Sequence, residues 1–178
     1  MTQVVLFLDF DGVLHPDGEA ALDENFRLLP NPNLFCWKGL LHEILEPHPE
    51  VQIIVSSDWR RFFDDENLVR LLGPLGSRFA GVVETLGSPR SQEILGEAAR
   101  RSIERWVALD DHVSVHEAAK EDCRFIACDP RLGVSKPETQ KALCKGLLAF
   151  WCRQPSFASR ESEPEGCQVK AFIQRGDM

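Results

Sequence analysis

VVLFLDFDGVLHP, residues 4–16, opens the chain with an apolar run that ends in two aspartates two positions apart. Five consecutive apolar residues, two of them valines, predict a strand that is buried on both of its faces. Because the side chains of an extended chain alternate between its faces, Asp9 and Asp11 are expected on the same side. Two carboxylates so placed repel each other unless a cation lies between them. The stretch therefore predicts a buried strand whose end binds a cation.

Further apolar runs follow, and helical patterns separate them. Strands are predicted at residues 51–55, 106–109 and 124–128, while 79–86 could be a short edge strand or a loop. Helices are predicted over about 34–45, over 64–72 with Asp64 as the N-cap, and over 89–101. A short helix capped by Ser114 and a last one opening at Ser135 follow. Strands that alternate with helices form a parallel sheet covered on both faces. The predicted fold class is α/β, a three-layer Rossmann-like fold.

Polar residues follow three of the predicted strands, each at the strand's carboxyl end. They are Asp9 and Asp11 after the first strand, Ser56 and Ser57 after the run at 51–55, and Asp110 and Asp111 after the run at 106–109. In open parallel sheets, ligands bind beyond the carboxyl ends of the strands, so these residues are expected to converge. Converging carboxylates suit Mg²⁺, which prefers oxygen ligands and is often shared with a substrate phosphate. The sequence therefore predicts a Mg²⁺ site at this edge of the sheet.

Carboxylates beyond those needed for the metal can act on a phosphate. One Asp can attack phosphorus and form an aspartyl-phosphate. A second, two residues on, can protonate the leaving oxygen and later activate water. Hydroxyl groups at the next strand end would bind the equatorial oxygens, and a cationic side chain would hold the nucleophile and the phosphoryl group together. The predicted chemistry is phosphoryl transfer.

These motifs resemble those of the haloacid dehalogenase-like (HAD) superfamily over roughly residues 4–135. DFDGVL is similar to its first motif, VQIIVS to its second and ALDD to its fourth. More narrowly, DFDGVLHP, SSDWR, SPRSQEI and ALDD resemble the small uncapped HAD domains of predicted RNA-repair proteins. No insertion of the size of a cap domain separates the motifs. The resemblance implies a HAD-type fold with a central parallel sheet and no large cap domain.

The resemblance also implies roles for individual residues. It makes Asp9 the nucleophile, Asp11 the general acid/base and Ser56 the hydroxyl that binds the phosphoryl group. It further implies that Asp110, with Asp111 beside it, completes a Mg²⁺ site together with Asp9 and the backbone carbonyl of Asp11. The implied cofactor is therefore Mg²⁺.

The remaining predicted site residues have alternatives. The family's third motif is a Lys or Arg near the helix before the ALDD strand, and Arg90 is expected to supply it because it opens that helix. Arg60 is a second possible cation, or else a surface residue. Ser57 is the alternative phosphoryl-binding hydroxyl, and Gly12 lets the chain turn sharply after the aspartates. His15 is either an ordinary loop histidine or a group at which an uncapped site meets its substrate.

Two functions fit these observations. The first is a Mg²⁺-dependent phosphatase that hydrolyses a phosphomonoester through an aspartyl-phosphate, on a metabolite, a protein or a nucleic-acid end. Transfer to an acceptor other than water would use the same residues. The alternative is a non-catalytic HAD-like module that binds a phosphorylated ligand or partner protein. The net charge of −8 argues against extended, non-specific nucleic-acid binding.

Length and composition predict one domain and a location. The 178 residues suffice for one HAD-like phosphatase domain over 1–152, followed by a polar tail over 153–178 that is flexible or loosely docked through 169–173. No apolar run is long enough to span a membrane, and the first residues lack the features of a signal peptide. Six cysteines without metal-site spacing fit a reducing compartment. We therefore expect a cytoplasmic protein with no membrane partner.

Overall fold

A five-stranded, all-parallel sheet forms the centre of the protein, as seen in a computed structural model that describes residues 3–25 and 27–151. Its strands are β1 (Val4–Leu8), β2 (Val51–Val55), β3 (Phe79–Val82), β4 (Trp106–Asp110) and β5 (Phe125–Ala127). They lie side by side in the order β3-β2-β1-β4-β5, and every neighbouring pair is parallel. The α/β class predicted from the alternation of patterns is confirmed.

Helices cover both faces of this sheet. They are α1 (Lys38–Leu45), α2 (Asp65–Leu72), α3 (Arg90–Arg100), α4 (Val113–Ala118) and α5 (Pro137–Trp151). On one face, Leu6 of β1 belongs to an apolar cluster with residues of α1, α2 and α5. On the other face, Phe7 belongs to a second cluster with residues of α3 and α4. The alternation of a buried strand thus produces three layers, with β1 at the centre.

Burial of β1 explains why the chain opens with an uninterrupted apolar run. All five of its side chains are buried, and Val4, the most exposed of them, is only 4% accessible. Burying each aliphatic or aromatic side chain contributes roughly 1.5–3 kcal/mol relative to leaving it exposed. The strand that precedes Asp9 is therefore held by apolar packing on both faces and by pairing with β2 and β4 along its two edges.

Two helix starts test the capping predictions. The Asp64 side chain accepts a hydrogen bond of 2.9 Å from the Asn67 N–H, so the predicted cap of α2 is confirmed. The prediction that Ser114 caps α4 is wrong. The helix begins at Val113 after His112, whose ring Nδ1 accepts the N–H of Ser114, and Ser114 itself lies in the first turn.

The connection between β1 and β2 is where the sequence analysis expects no insertion of the size of a cap domain. Among the described residues that join β1 to β2, α1 is the only helix, and the connection holds a small antiparallel bridge between Leu22 and Leu28. We call the paired segments 20–22 and 27–29 the bridge loop. No helix in the described part of the chain is long and apolar enough to cross a membrane. The predicted tail at 153–178 lies outside the described residues.

Candidate active site

Three carboxylates meet at the carboxyl edge of the sheet, where β1 and β4 end side by side. Leu8 pairs with Leu109, and the Asp9 N–H donates to the Leu109 carbonyl at 3.1 Å, which places Asp9 beside Asp110. One ligand oxygen each of Asp9, Asp110 and Asp111 lies within 4.8 Å of the others. Asp9 and Asp110 are buried, and Asp111 is partly exposed. The strand register therefore brings together three of the four carboxylates that were expected to converge, and the fourth, that of Asp11, lies outside this cluster.

The electrostatics of this cluster disfavour three free anions. Burial raises the pKa of Asp9 to about 8, with a further increase from Asp110, against partial lowering by Arg90, the Ser57 hydroxyl and a backbone N–H. Burial and the neighbouring Asp9 raise the pKa of Asp111 to about 6. Burial also raises the pKa of Asp110. A divalent cation between the carboxylates would remove this repulsion.

The donor set fits Mg²⁺. Carboxylate oxygens are the hard ligands that this ion takes, and it is commonly held by one or two carboxylates together with a substrate phosphate. Asp9, Asp110 and Asp111 offer such oxygens within reach of one another. The Asp11 carboxylate is not part of this group.

Gly12 makes room for one of these carboxylates. Its backbone has a φ of +63°, a conformation that L-residues other than glycine rarely adopt. A Cβ atom at this position would lie 2.1 Å from Asp111 Oδ2. The structure thus places Gly12 against Asp111, where the missing side chain allows the carboxylate to approach the strand end.

The Asp11 carboxylate is held from behind by two side chains. His15 Nε2 and Asp11 Oδ1 are hydrogen-bonded at 3.0 Å, and Trp59 Nε1–H donates to Asp11 Oδ2 at 2.6 Å. His15 is fully buried, with its ring edge-on to the rings of Phe35 and Trp59. The structure therefore places His15 behind Asp11, inside the protein. Trp59 contacts the Asp11 carboxylate directly, a role that the sequence analysis did not assign to it.

Both serines at the end of β2 reach the cluster. The Ser56 hydroxyl donates to Asp110 Oδ2 at 3.4 Å, and the Ser57 hydroxyl is hydrogen-bonded to the Asp9 carboxylate. Both are fully buried. Each serine thus contacts a different buried carboxylate, Ser56 that of Asp110 and Ser57 that of Asp9.

Arg90 brings a buried positive charge to the same place from the first turn of α3. Its guanidinium lies 3.1 Å from Asp110 Oδ2, 3.7 Å from Asp9 Oδ1 and 3.3 Å from Asp58 Oδ1. Burial alone would lower the pKa of Arg90, but the carboxylates of Asp9 and Asp110 raise it above its ordinary value. Arg90 therefore stays a cation and spans the ends of β1 and β4.

Arg60 is directed into the protein. Its side chain is 2% accessible and donates to the carbonyls of Ser56, Ser57 (2.8 Å) and Val83 (2.9 Å). It also lies 3.5 Å from the exposed Asp58 carboxylate and forms an ion pair of 2.7 Å with Glu93, which is as buried as Arg60 itself. Arg60 thus joins the end of β2 to the chain after β3 and to α3. Sequence reasoning included Glu93 only within the stretch SPRSQEI and gave it no role, since nothing local marks a helix glutamate as a buried partner.

An all-parallel sheet with an acidic cluster at its carboxyl edge defines an α/β domain of the HAD type. The family model described as the HAD domain in Swiss Army Knife RNA repair proteins matches residues 5–139, and the chain belongs to this family. No curated protein and no solved structure matches the chain. The predicted resemblance is therefore confirmed, and membership supports a HAD-type hydrolase in general terms, with which the acidic cluster is compatible.

Proposed function

We propose that the protein is a Mg²⁺-dependent phosphatase that hydrolyses a phosphomonoester through an aspartyl-phosphate. The observation that carries this proposal is the difference between two aspartates of one strand end. Asp9 lies among Asp110, Asp111 and the Arg90 guanidinium. Asp11 lies outside that group, partly exposed, with its carboxylate oriented by its own hydrogen bonds. Two carboxylates in such different surroundings can take two different roles.

In the first step an Asp9 carboxylate oxygen attacks phosphorus. The bond between phosphorus and the leaving oxygen breaks, and protonated Asp11 gives its proton to that oxygen. In the second step Asp11 takes a proton from water, whose oxygen attacks the aspartyl-phosphate. The bond between phosphorus and Asp9 breaks, inorganic phosphate leaves, and both aspartates return to their starting states.

The surrounding residues support this chemistry. Asp9, Asp110, Asp111 and the backbone carbonyl of Asp11 would hold Mg²⁺, which supplies positive charge to the carboxylates and to the phosphoryl oxygens when bound. Arg90 offers a second positive charge at Asp9 Oδ1. The Ser57 hydroxyl is hydrogen-bonded to the Asp9 carboxylate, so we propose that both Ser57 and Ser56 bind the phosphoryl group. The side chains of Arg60 and His15 are buried, so we assign them positioning roles: Arg60 holds the backbone of the two serines, and His15 orients the Asp11 carboxylate.

The proposed substrate is a phosphomonoester that an open site can accept. The matched family is described by its occurrence in RNA repair proteins, which favours a nucleic-acid terminal phosphate. The net charge of −8 does not favour a nucleic acid, so a phosphorylated metabolite or a phosphorylated protein is an equally good candidate substrate. Transfer to an acceptor other than water would use the same two aspartates. We place the activity in the cytoplasm, in keeping with the cysteine pattern.

The test is Mg²⁺-dependent release of inorganic phosphate from p-nitrophenyl phosphate and from oligonucleotides phosphorylated at either end. We expect Asp9→Asn to reduce release to background, and Asp11→Asn to reduce it by about 10²–10⁴-fold. Glu121→Gln, at an exposed position on the far side of α4, is the matched control and should keep full activity. Equal activity of Asp9→Asn and the control would overturn the proposal.

Binding of beryllofluoride separates an enzyme from a binding module. With Mg²⁺ present, this phosphoryl mimic should raise the melting temperature of the protein but not that of Asp9→Asn, by ligand linkage. A thermal shift without phosphate release from any substrate would support a non-catalytic HAD-like module.

A further inference from the structure

A cleft of about 180 Å³ opens directly beside Asp11. Leu22 and Leu28 of the bridge loop form one wall, and Phe62 and Phe63 form the other. Asp11 and Asp58 are charged residues of its lining. We call this space the Asp11 cleft. Its position matters because Asp11 is the residue proposed to protonate the leaving oxygen.

The walls of the Asp11 cleft are held in place by the fold. In the bridge loop, the Leu29 N–H donates to the Ala21 carbonyl at 2.8 Å, and Leu28 packs on the main apolar cluster. On the other side, Phe63 stacks on Trp59 with the ring centroids 5.4 Å apart. Trp59 is itself bonded to Asp11. The cleft is therefore preformed and is connected to the general acid.

The lining of the Asp11 cleft is apolar and partly open to solvent. Leu22 is 37% accessible and Phe62 is 61% accessible. Large apolar side chains gathered in a concave surface beside reactive groups are typical of ligand sites. A ligand that covers the exposed apolar surface of these two side chains would remove that surface from water, which is favourable.

Charge and size narrow the occupant. Among the described residues that line the cleft, two are acidic and none is basic, and the arginines that pair with Asp58 lie outside the lining, so the cleft itself offers no cation to a second phosphate group. A cavity of about 150 Å³ holds a benzene molecule, so 180 Å³ accommodates one ring system. Aromatic walls favour a planar ring over an aliphatic group of the same size, because ring pairs interact beyond the burial of their area.

We propose that the Asp11 cleft binds the leaving group of the substrate and that this leaving group carries an uncharged planar ring. The proposal rests on the proposed function, because a leaving group must lie next to the acid that protonates it. An aryl group and a nucleobase share this chemistry. The bridge loop would then take the place of a cap domain in selecting the substrate.

The experiment compares substrates that differ only in the ring. Benzyl phosphate is compared with cyclohexylmethyl phosphate and ethyl phosphate, whose alcohols have similar acidity, and adenosine 5′-monophosphate with ribose 5-phosphate. We expect kcat/KM for benzyl phosphate to exceed that for both aliphatic phosphates, or kcat/KM for adenosine 5′-monophosphate to exceed that for ribose 5-phosphate, by on the order of tenfold or more, mainly through KM. The pair that shows the preference identifies the aryl or the nucleobase source.

Variants connect the preference to the cleft. Phe62→Ala removes an exposed side chain that the core does not need, and it should lower kcat/KM for the preferred ring substrate far more than for its ring-free partner. Leu132→Ala removes an exposed apolar side chain outside the cleft and should change neither. Equal kcat/KM within both pairs, or a ring preference that Phe62→Ala leaves intact, overturns the proposal while the phosphatase function stands.

Binding of phosphonates gives a readout that does not need turnover. In the presence of Mg²⁺, benzylphosphonate should bind more tightly than ethylphosphonate by calorimetry, and Phe62→Ala should remove the difference. If no substrate is hydrolysed but benzylphosphonate retains its advantage, the phosphatase function fails and the ring site stands. If neither phosphonate is preferred and adenosine 5′-monophosphate has no advantage over ribose 5-phosphate, the ring site fails.

Discussion

Asp9 and Asp11 leave β1 two residues apart, yet their carboxylates face different neighbours. Asp9 lies among two other carboxylates and Arg90, and burial raises its pKa to about 8. Asp11 is partly exposed and has one carboxylate oxygen on His15 and the other on Trp59. At the scale of single residues, the site therefore depends on hydrogen-bond partners that hold the Asp11 carboxylate away from the cluster of Asp9, Asp110 and Asp111.

The indole N–H of Trp59 is the part of this arrangement that can be removed alone. Trp59→Phe keeps an aromatic ring against Phe63 but deletes the 2.6 Å hydrogen bond to Asp11. Because a hydrogen bond to a charged group contributes about 1.5–3 kcal/mol, we expect kcat for ethyl phosphate to fall by on the order of tenfold or more. For p-nitrophenyl phosphate, whose leaving group needs little protonation, kcat should fall much less.

The dependence on the leaving group separates positioning of the acid from general damage. Trp106→Phe is the matched control, because Trp106 is buried between Phe7 and Phe125 on the α3 and α4 face of the sheet. It should lower stability without distinguishing the two substrates. Equal losses of kcat for both substrates in Trp59→Phe would show that the indole N–H does not act on the protonation of the leaving oxygen by Asp11.

At the scale of elements, one guanidinium joins three parts of the fold around the site. Arg60 contacts the Ser57 carbonyl after β2, the Val83 carbonyl after β3 and the Glu93 carboxylate on α3. Glu93 also accepts the Gly87 N–H at 3.0 Å, so the loop before α3 depends on it as well. The serines and Arg90 thus share a common support.

Removing the charge of Glu93 should weaken this support strongly. Glu93→Gln leaves the buried Arg60 guanidinium with the exposed Asp58 carboxylate, 3.5 Å away, as its anionic partner, and loss of one partner of a buried pair costs about 3–5 kcal/mol. The expected result is a lower urea midpoint at an unchanged m-value. Glu66→Gln breaks an exposed Arg70 ion pair on α2 and should shift the midpoint little. Similar shifts in both variants would contradict a supporting role for the buried pair.

The elements themselves follow from local sequence, and so does much of the acidic cluster. A continuous apolar run such as residues 4–8 predicts a buried strand, and parallel strands that alternate with helices bring their carboxyl ends together. This reasoning is enough to place Asp9 beside Asp110 before any coordinates are known. The edge strand β3 stayed ambiguous because its sequence contains Gly81 and lacks a long apolar run.

Contacts between distant segments could not be predicted in this way. The ring of His15 is buried against Phe35 and Trp59, and no local pattern marks a histidine after a strand as a core residue. The partner of Arg60 lies 33 residues further along, on the buried face of α3. For α4, both His112 and Ser114 can accept the N–H of a first turn, and the backbone at His112 decides which of them does.

At the scale of the whole molecule, folding gathers carboxylates whose charged forms are then disfavoured. The pKa values of Asp9 and Asp111 rise to about 8 and about 6 from an ordinary 3.8. Between about pH 4 and about pH 8 these two carboxyl groups therefore bind more protons in the folded protein than in the unfolded chain. By linkage, their contribution to the free energy of unfolding falls as the pH rises through this window and then levels off above it.

Without metal, we therefore expect the melting temperature to fall between about pH 5 and about pH 8. The slope from Asp9 alone approaches about 1.4 kcal/mol per pH unit, and Asp9→Asn should flatten the profile because the amide does not titrate. Mg²⁺ should reverse the trend, because it competes with protons for the same oxygens. Its stabilisation should be largest near pH 8 and nearly absent near pH 5.

Thermal melts at these two pH values, with and without Mg²⁺, measure both effects in one protein. Glu121→Gln should follow the wild-type profile, since this exposed side chain lies away from the cluster. A Mg²⁺ shift of equal size at both pH values would mean that the cation binds elsewhere than at the buried carboxylates. An unchanged slope in Asp9→Asn would mean that Asp9 is ionised in the metal-free protein, and Arg90 alone would then suffice to compensate its charge.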